Sequence, residues 1–407
     1  MELVEGHIPK SPPPGVPGWD IDPYDVAVLA NPTPYYTQLR QMGPFVHMTR
    51  YAALACGRFA ETKEVFSDHE RFVSSRGVGL QDFSLEKPWR PPSIVLEVDP
   101  PYHTRTRAVL TRAMSPKAVA GLKEAFADAA ERLVDQLLER GTFEAVEEFA
   151  EAFPVSVFPQ AVGLREADRR RLVDYGAMVF NALGPDNETR RKAMARGPDI
   201  VPWITEQCRR ENLLPGGFGE TIYAAADAGE ITEEEAGMLV RSLLSAGVDT
   251  TVTALGSALW CLARNPDQFD LLRQNPGLAR GAFEESMRMT SPVHTFCRTA
   301  KADTEVGGIA IEKDTKILCV LGAANLDEQN WSHADRFDIS RRAIGHIAFG
   351  VGIHGCVGQN VARAEGEAVM AALARKVRSI ELVDEPVWRP NNAIHALDRM
   401  TVRFRAV

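Results

Sequence analysis

The 407-residue sequence predicts a mainly α-helical fold with small β-sheets, and three observations carry that prediction. A helical apolar period runs through residues 115–140. A long helical stretch opens at Thr232 and stops at Asn265-Pro266. Strand-like runs appear near Lys316–Leu321 and at Met400–Phe404, after early turns and strands. At ~150 residues per domain, length alone suggests two or three domains. No long Gly/Ser stretch, charge block or internal repeat marks a linker between them.

In chain order, Pro9, Pro12, Pro13, Pro14 and Pro17 make residues 1–20 an irregular arm ahead of a body at 21–407. Prolines at 88–92 and 100–101 mark short connections. Over residues 115–140, Val119, Leu122, Phe126, Ala129, Leu133 and Leu137 recur at spacings of three and four, one face of a helix. Thr232 with Glu235 reads as a capping box. The helix it opens runs to Arg264, roughly 32 residues or about 48 Å. Nearly every face is apolar from Leu239 to Leu262, so this helix crosses the middle of the molecule. A further helix is expected over Val361–Val377.

Composition narrows the function classes. With 45% hydrophobic and 25% charged residues, the chain is neither disordered nor collagen-like. Its net charge of −9 argues against a broad nucleic-acid surface. Six scattered cysteines without a C-x-x-C pair argue against a disulfide framework or zinc ribbon. The first residues are acidic, with no apolar signal region, and no apolar run reaches the ~18–20 residues of a spanning helix. A cytoplasmic protein with no membrane partner is expected.

Three motifs carry chemistry. Ala246-Gly247-Val248-Asp249-Thr250-Thr251 puts an acid beside an alcohol in an otherwise apolar helix. Such a pair can relay protons into a dry cavity, and a threonine there can equally back-bond to the helix and bend it. Phe349-Gly350-Val351-Gly352-Ile353-His354-Gly355-Cys356-Val357-Gly358 is a glycine-rich loop whose backbone can approach a flat ligand. Cys356 lies near a helix entrance, where amides and the positive dipole end stabilise a thiolate able to ligate a soft metal or haem iron. Glu285 and Arg288 are spaced to meet on a helix, and read alone they are a solvated pair; Arg336 downstream could complete a charge network with them.

Taken in order, these motifs resemble a bacterial cytochrome P450, a haem-thiolate monooxygenase, from about residue 20 to the C-terminus. The resemblance implies the P450 fold as one large domain, in place of two or three. It implies haem b, with Cys356 as axial ligand and iron-binding residue in the loop that includes Phe349 and Gly358. His103, Arg107, Arg298 and His354 then sit where the family holds the haem propionates, and Asp249 and Thr250 resemble its catalytic proton-delivery pair. Glu285, Arg288 and Arg336 resemble structural residues.

Four further stretches resemble the subfamily that oxidises para-substituted benzoates, including 4-methoxybenzoate O-demethylases. They are Ser75-Arg76-Gly77-Val78-Gly79-Leu80, Pro88-Trp89-Arg90-Pro91-Pro92-Ser93, Phe180-Asn181-Ala182-Leu183-Gly184-Pro185 and Arg241-Ser242-Leu243-Leu244-Ser245. The resemblance implies that Arg90, Ser93, Arg241 and Ser242 hold a substrate carboxylate. It implies pocket walls at Phe180, Leu183, Ala246, Val293 and Phe296. Leu183, His294 and Cys297 depart from the subfamily pattern, which points to a wider pocket, with Cys297 near it. Hydroxylation of a natural-product intermediate and a haem sensor without turnover are the alternatives; Asp249-Thr250 speaks against a sensor. No G-x-G-x-x-G opens a βαβ unit and no flavin module is fused on, so electrons come from outside. Resemblance implies an iron–sulfur ferredoxin and its NAD(P)H-dependent reductase alongside O2, docking on a basic patch for which Arg112 and Arg363 are candidates.

Overall fold

The computed structural model describes residues 11–165, 168 and 170–407. The helices that position the site are α1 (Tyr102–Ala113), α2 (Lys123–Arg140), α3 (Arg170–Asn181), α4 (Glu233–Ala246), α5 (Asp249–Arg264), α6 (Ala279–Thr290) and α7 (Gln359–Lys376). They share one large apolar core. α5 runs through it, buried over almost its whole length. The α2 period begins later than expected: Ser115 caps a separate short helix, Pro116–Ala120, ahead of it.

The single helix expected from Thr232 to Arg264 is instead two. Its start is as read: Thr232 Oγ1 accepts the Glu235 N–H (3.1 Å) and Glu235 accepts the Thr232 N–H (2.8 Å). Gly247 and Val248 then break the helix between α4 and α5. Around the break Thr250 donates to the Ala246 carbonyl (2.6 Å), Thr251 to Gly247 (3.2 Å) and Thr253 to Asp249 (2.8 Å). These hydroxyls compete with the backbone ladder. The Phe158 ring packs so close to Gly247 that a Cβ there would lie 2.0 Å from it.

Six strands form the main sheet: β1 (Gly18–Trp19), β2 (Val46–Met48), β3 (Ala53–Cys56), β4 (Phe72–Val73), β5 (Thr295–Ala300) and β6 (Lys316–Val320). Their order is β1-β2-β3-β6-β5-β4. β6, buried at every residue, pairs parallel with β3 and antiparallel with β5. Among its described residues, the proline-rich arm is irregular from Ser11 only as far as Pro17. Trp19 belongs to the sheet and stacks on Tyr35 at 4.5 Å; residues 1–10 of the arm lie outside the described residues. The C-terminal strand expected at Met400–Phe404 is Thr401–Ala406, paired with Val377–Leu382 and Thr142–Glu144. A hairpin of Val387–Arg389 and Ala396–Arg399 carries Arg389 towards α5.

Glu285 and Arg288 on α6 are not a solvated pair: both side chains are 0% exposed. Arg288 forks onto Glu285 (Nε–Oε2 and Nη2–Oε1, both 2.8 Å) and donates to the carbonyls of Asn325 (2.9 Å) and Ala334 (2.8 Å). Arg341 supplies the third charge, at 3.0 Å from Glu285, in place of Arg336. The Arg336 side chain is exposed and contributes only its backbone carbonyl, to Arg288. Among the described residues, no helix is long and apolar enough to cross a membrane.

Candidate active site

A cavity of about 240 Å³ opens where α4 and α5 break, facing the loop 349–358 and the first turns of α7. Thr250, Arg107, Arg298, Phe349, His354, Cys356 and Gly358 line it, and so do Arg90, Ser93, Phe180, Leu183, Ser242, Ala246, Val293 and Phe296. Three expected site residues, His103, Arg241 and Asp249, do not. Nor do His294 and Cys297: both are buried, His294 Nδ1 lying 3.1 Å from the Tyr36 hydroxyl and the Cys297 amide bonded to Val78 (2.7 Å). They cannot widen the pocket.

Gly350 and Gly352 take positive φ angles, +68° and +74°, which turn the loop beneath the cavity. A Cβ on Gly352 would stand 2.8 Å from the Ser67 backbone, so the loop passes where a larger residue could not. The Cys356 amide bonds to the Phe349 carbonyl (2.7 Å). Of the six cysteines this one alone is exposed, and it is exposed to the cavity, screened from bulk solvent by surrounding protein. Burial pushes its thiol up, against the Gly358 and Gln359 amides and the Arg107 and Arg363 charges that pull it down. The helix entrance is therefore not sufficient to make a thiolate, and a metal would have to displace the proton.

Beside the loop is a cluster of donors without acceptors. His103 and His354 rings lie 4.4 Å apart, and Arg298, 1% exposed, stacks 4.0 Å from the Phe66 ring. His103 Nε2, both His354 ring nitrogens and Arg298 Nη2 are buried without a hydrogen-bond partner. Burial, then Arg298 and His103, lower His354 to about 3; burial lowers Arg298 to about 10. The unpaired Arg298 guanidinium N–H and the single N–H that each neutral imidazole carries suit an anionic acceptor. A flat glycine-lined surface, one cavity-facing thiol and an anion-seeking end together fit haem b.

Behind the break, Asp249 is fully buried and turned away from the cavity. Its Oδ1 accepts from Arg389 Nη2 (3.1 Å), and Oδ2 has no partner. Burial raises its carboxyl, with Arg389 opposing. At the other end of the cavity Ser93 Oγ and Ser242 Oγ are 3.3 Å apart. Arg90 contacts Glu97 (3.3 Å), and Arg241 donates to the carbonyls of Pro91 (2.9 Å) and Pro92 (3.4 Å) from behind the loop.

Three residues of this site escaped the sequence reading. Glu365 on α7 lines the cavity, an acid inside the apolar stripe Val361, Ala364, Val369 that the helical period could have flagged. Glu97 lines it four residues after Ser93, whose amide it binds. Arg389 reaches Asp249 across 140 residues of sequence, and no local pattern marks it.

The cytochrome P450 family model matches residues 218–387. Cytochrome p450 CYP199A2 of Rhodopseudomonas palustris is 49% identical over 403 residues, covering 99% of this chain and 98% of that protein. The chain belongs to the cytochrome P450 family. P450 CYP109Q5 of Chondromyces apiculatus superposes with a TM-score of 0.80 at 29% identity, covering 95% of this chain and 99% of that one. P450BioI, solved with an acyl carrier protein ligated to hexadec-9Z-enoic acid, superposes at 0.83 and 25% identity, over 93% and 99%. The enzyme is thus a P450 monooxygenase, of a family that uses haem b with an axial cysteine thiolate, dioxygen and redox partners. Arg112 pairs at the surface with Glu230 (2.9 Å), and Arg363 pairs with the buried Glu284.

Proposed function

We propose that this P450 hydroxylates a small para-substituted aromatic acid or O-demethylates one, with 4-methoxybenzoate as the model substrate. It works in the cytoplasm with an iron–sulfur ferredoxin and an NAD(P)H-dependent reductase. The observation that carries the reading is the polar group Arg90, Ser93 and Ser242 at the end of the cavity away from Cys356, with apolar walls between. There the guanidinium and two hydroxyls meet the carboxylate, while Phe180, Leu183, Val293, Phe296 and Ala246 flank the ring and aim the para substituent at the Cys356 end. Arg241 is a positioning residue that fixes the Pro91–Pro92 backbone.

Cys356 would hold haem b at its iron, with His103, Arg107, Arg298 and His354 toward its propionates, and the bound group would supply the iron chemistry of oxygen insertion. Thr250 lines the cavity with its hydroxyl on the Ala246 carbonyl, and Asp249 behind it keeps one carboxyl oxygen unpartnered; a proton passed from Asp249 to the cavity requires its carboxyl to turn from Arg389. A hydroxylated methoxy carbon is a hemiacetal; its O–H proton moves to the phenolic oxygen as formaldehyde leaves. Titrating the holoenzyme with 4-methoxybenzoate and the uncharged 4-methoxybenzamide, followed by the haem spin state, tests the reading. Loss of a charge-assisted bond weakens the amide by ~10-fold or more. Equal affinities would refute the carboxylate model and favour a neutral natural-product substrate.

A further inference from the structure

The polar end of the cavity contains a carboxylate of its own. Glu97 is 5% exposed at its side chain, and its Oε2 accepts the Ser93 amide at 2.6 Å and Arg90 Nη1 at 3.3 Å. Arg90 is nearly as enclosed, at 12%, and lies 5.5 Å from the Trp89 ring. Its Nε is buried without a partner. Arg241 reaches the same loop from the outer side through the Pro91 and Pro92 carbonyls. The other titratable groups facing these three are Tyr175 and Cys208, both raised by burial and so neutral. Two positive charges and one negative leave this end with a single uncompensated positive charge.

Resting on the aromatic-acid reading, we infer that Glu97 sets the charge of the substrate: by cancelling one guanidinium it restricts the polar end to ligands carrying one negative charge. A neutral headgroup leaves the remaining guanidinium charge unanswered. A dianion meets the Glu97 carboxylate across a few ångströms of low-dielectric protein, where like charges repel strongly. The apolar walls have no part in this discrimination, since they touch only the ring. Glu97 is therefore a specificity residue distinct from the groups that bind the carboxylate.

The test uses 4-methoxyphenylphosphonate, which has the ring and para substituent of 4-methoxybenzoate and carries one or two charges depending on pH. Calorimetric titration of the wild-type holoenzyme is expected to give tighter binding to the singly charged form than to the doubly charged form. Glu97→Gln keeps the size of the side chain and an oxygen for the Ser93 amide but removes the charge. It should tighten the doubly charged form by ~10-fold relative to the singly charged one. Glu97→Asp, which retains the charge, should keep the wild-type preference. If wild type already binds the dianion as tightly as the monoanion, or if Glu97→Gln leaves their ratio unchanged, the inference is overturned. The wild-type comparison decides the matter even if the variant does not fold. Failure of the aromatic-acid reading has a different signature, equal wild-type affinity for 4-methoxybenzoate and 4-methoxybenzamide.

Discussion

Glu365→Gln should remove the loss of stability that this one carboxyl imposes on the protein between mildly acid and mildly alkaline solution. The Glu365 side chain is 1% exposed and neither of its oxygens has a hydrogen-bond partner. The neighbouring Thr251 hydroxyl, whose proximity lowers the carboxyl a little, donates instead to the Gly247 carbonyl (3.2 Å). Burial raises the carboxyl from 4.5 to about 8. Between those values the folded state holds a proton that the unfolded state has released, so stability falls as pH rises from 4.5 and levels off above about 8. At ~1.4 kcal/mol per pH unit the loss is on the order of 5 kcal/mol. With an unfolding entropy of ~2.1 cal/mol/K per residue, a chain of this length shifts by about 1 °C per kcal/mol. About 4 kcal/mol of that loss falls between pH ~5 and pH ~9, so the wild-type holoenzyme should melt about 4–5 °C lower, from this group, at the higher pH. Glutamine cannot ionise and has nearly the same volume, so the variant should lack that difference and be the more stable protein at the alkaline end. Melting curves of the two proteins that run parallel across the whole range would refute the reasoning.

Thr250→Ala should uncouple electron use from product, with hydrogen peroxide released in its place, and Thr250→Ser should restore coupling; unchanged coupling in the alanine variant would take Thr250 out of proton delivery. Arg288→Ala strips Glu285 of its fork and orphans three carbonyls, for a loss of ~3–5 kcal/mol read by thermal unfolding and haem content. Arg341→Ala, at a site 12% exposed with one contact to Glu285, should cost only ~1 kcal/mol, and equal losses for the two would contradict the geometry. Gly247→Ala drives a methyl into the Phe158 ring and should destabilise by ~1–3 kcal/mol, a loss that Phe158→Leu reduces in a double-mutant cycle.

The features legible in the sequence were those written in local spacing. The capping box at Thr232, the glycine loop before Cys356 and the buried run of β6 each depend on residues within a few positions of one another, and the structure has them. What was not legible depends on where distant segments dock. The break at Gly247 needs Phe158 against it, and nothing near residue 247 announces that ring. Glu285–Arg288 has the same i, i+3 spacing whether exposed or buried; only the packing of Asn325, Ala334 and Arg341 over α6 decides it. Arg241 carries the right charge for a carboxylate clamp, yet its reach is spent on two proline carbonyls outside the cavity.

The two charged ends of the cavity differ in a way that assigns one to a resident group and the other to an exchangeable one. At the Cys356 end, His103 Nε2 and Arg298 Nη2 are buried with no hydrogen-bond partner within the protein. Leaving such donors unpaired costs ~1–3 kcal/mol each, more for the guanidinium, so the folded state gains most when an anion stays there permanently. At the Arg90 end, Arg90 Nη1 already has the Pro91 carbonyl and Glu97 as partners and Arg241 Nη2 has the Pro91 and Pro92 carbonyls, while Arg90 Nε has none. A ligand leaving that end uncovers one guanidinium charge, the other being already answered by Glu97. It can come and go on the timescale of turnover while its counterpart at the Cys356 end holds the protein together.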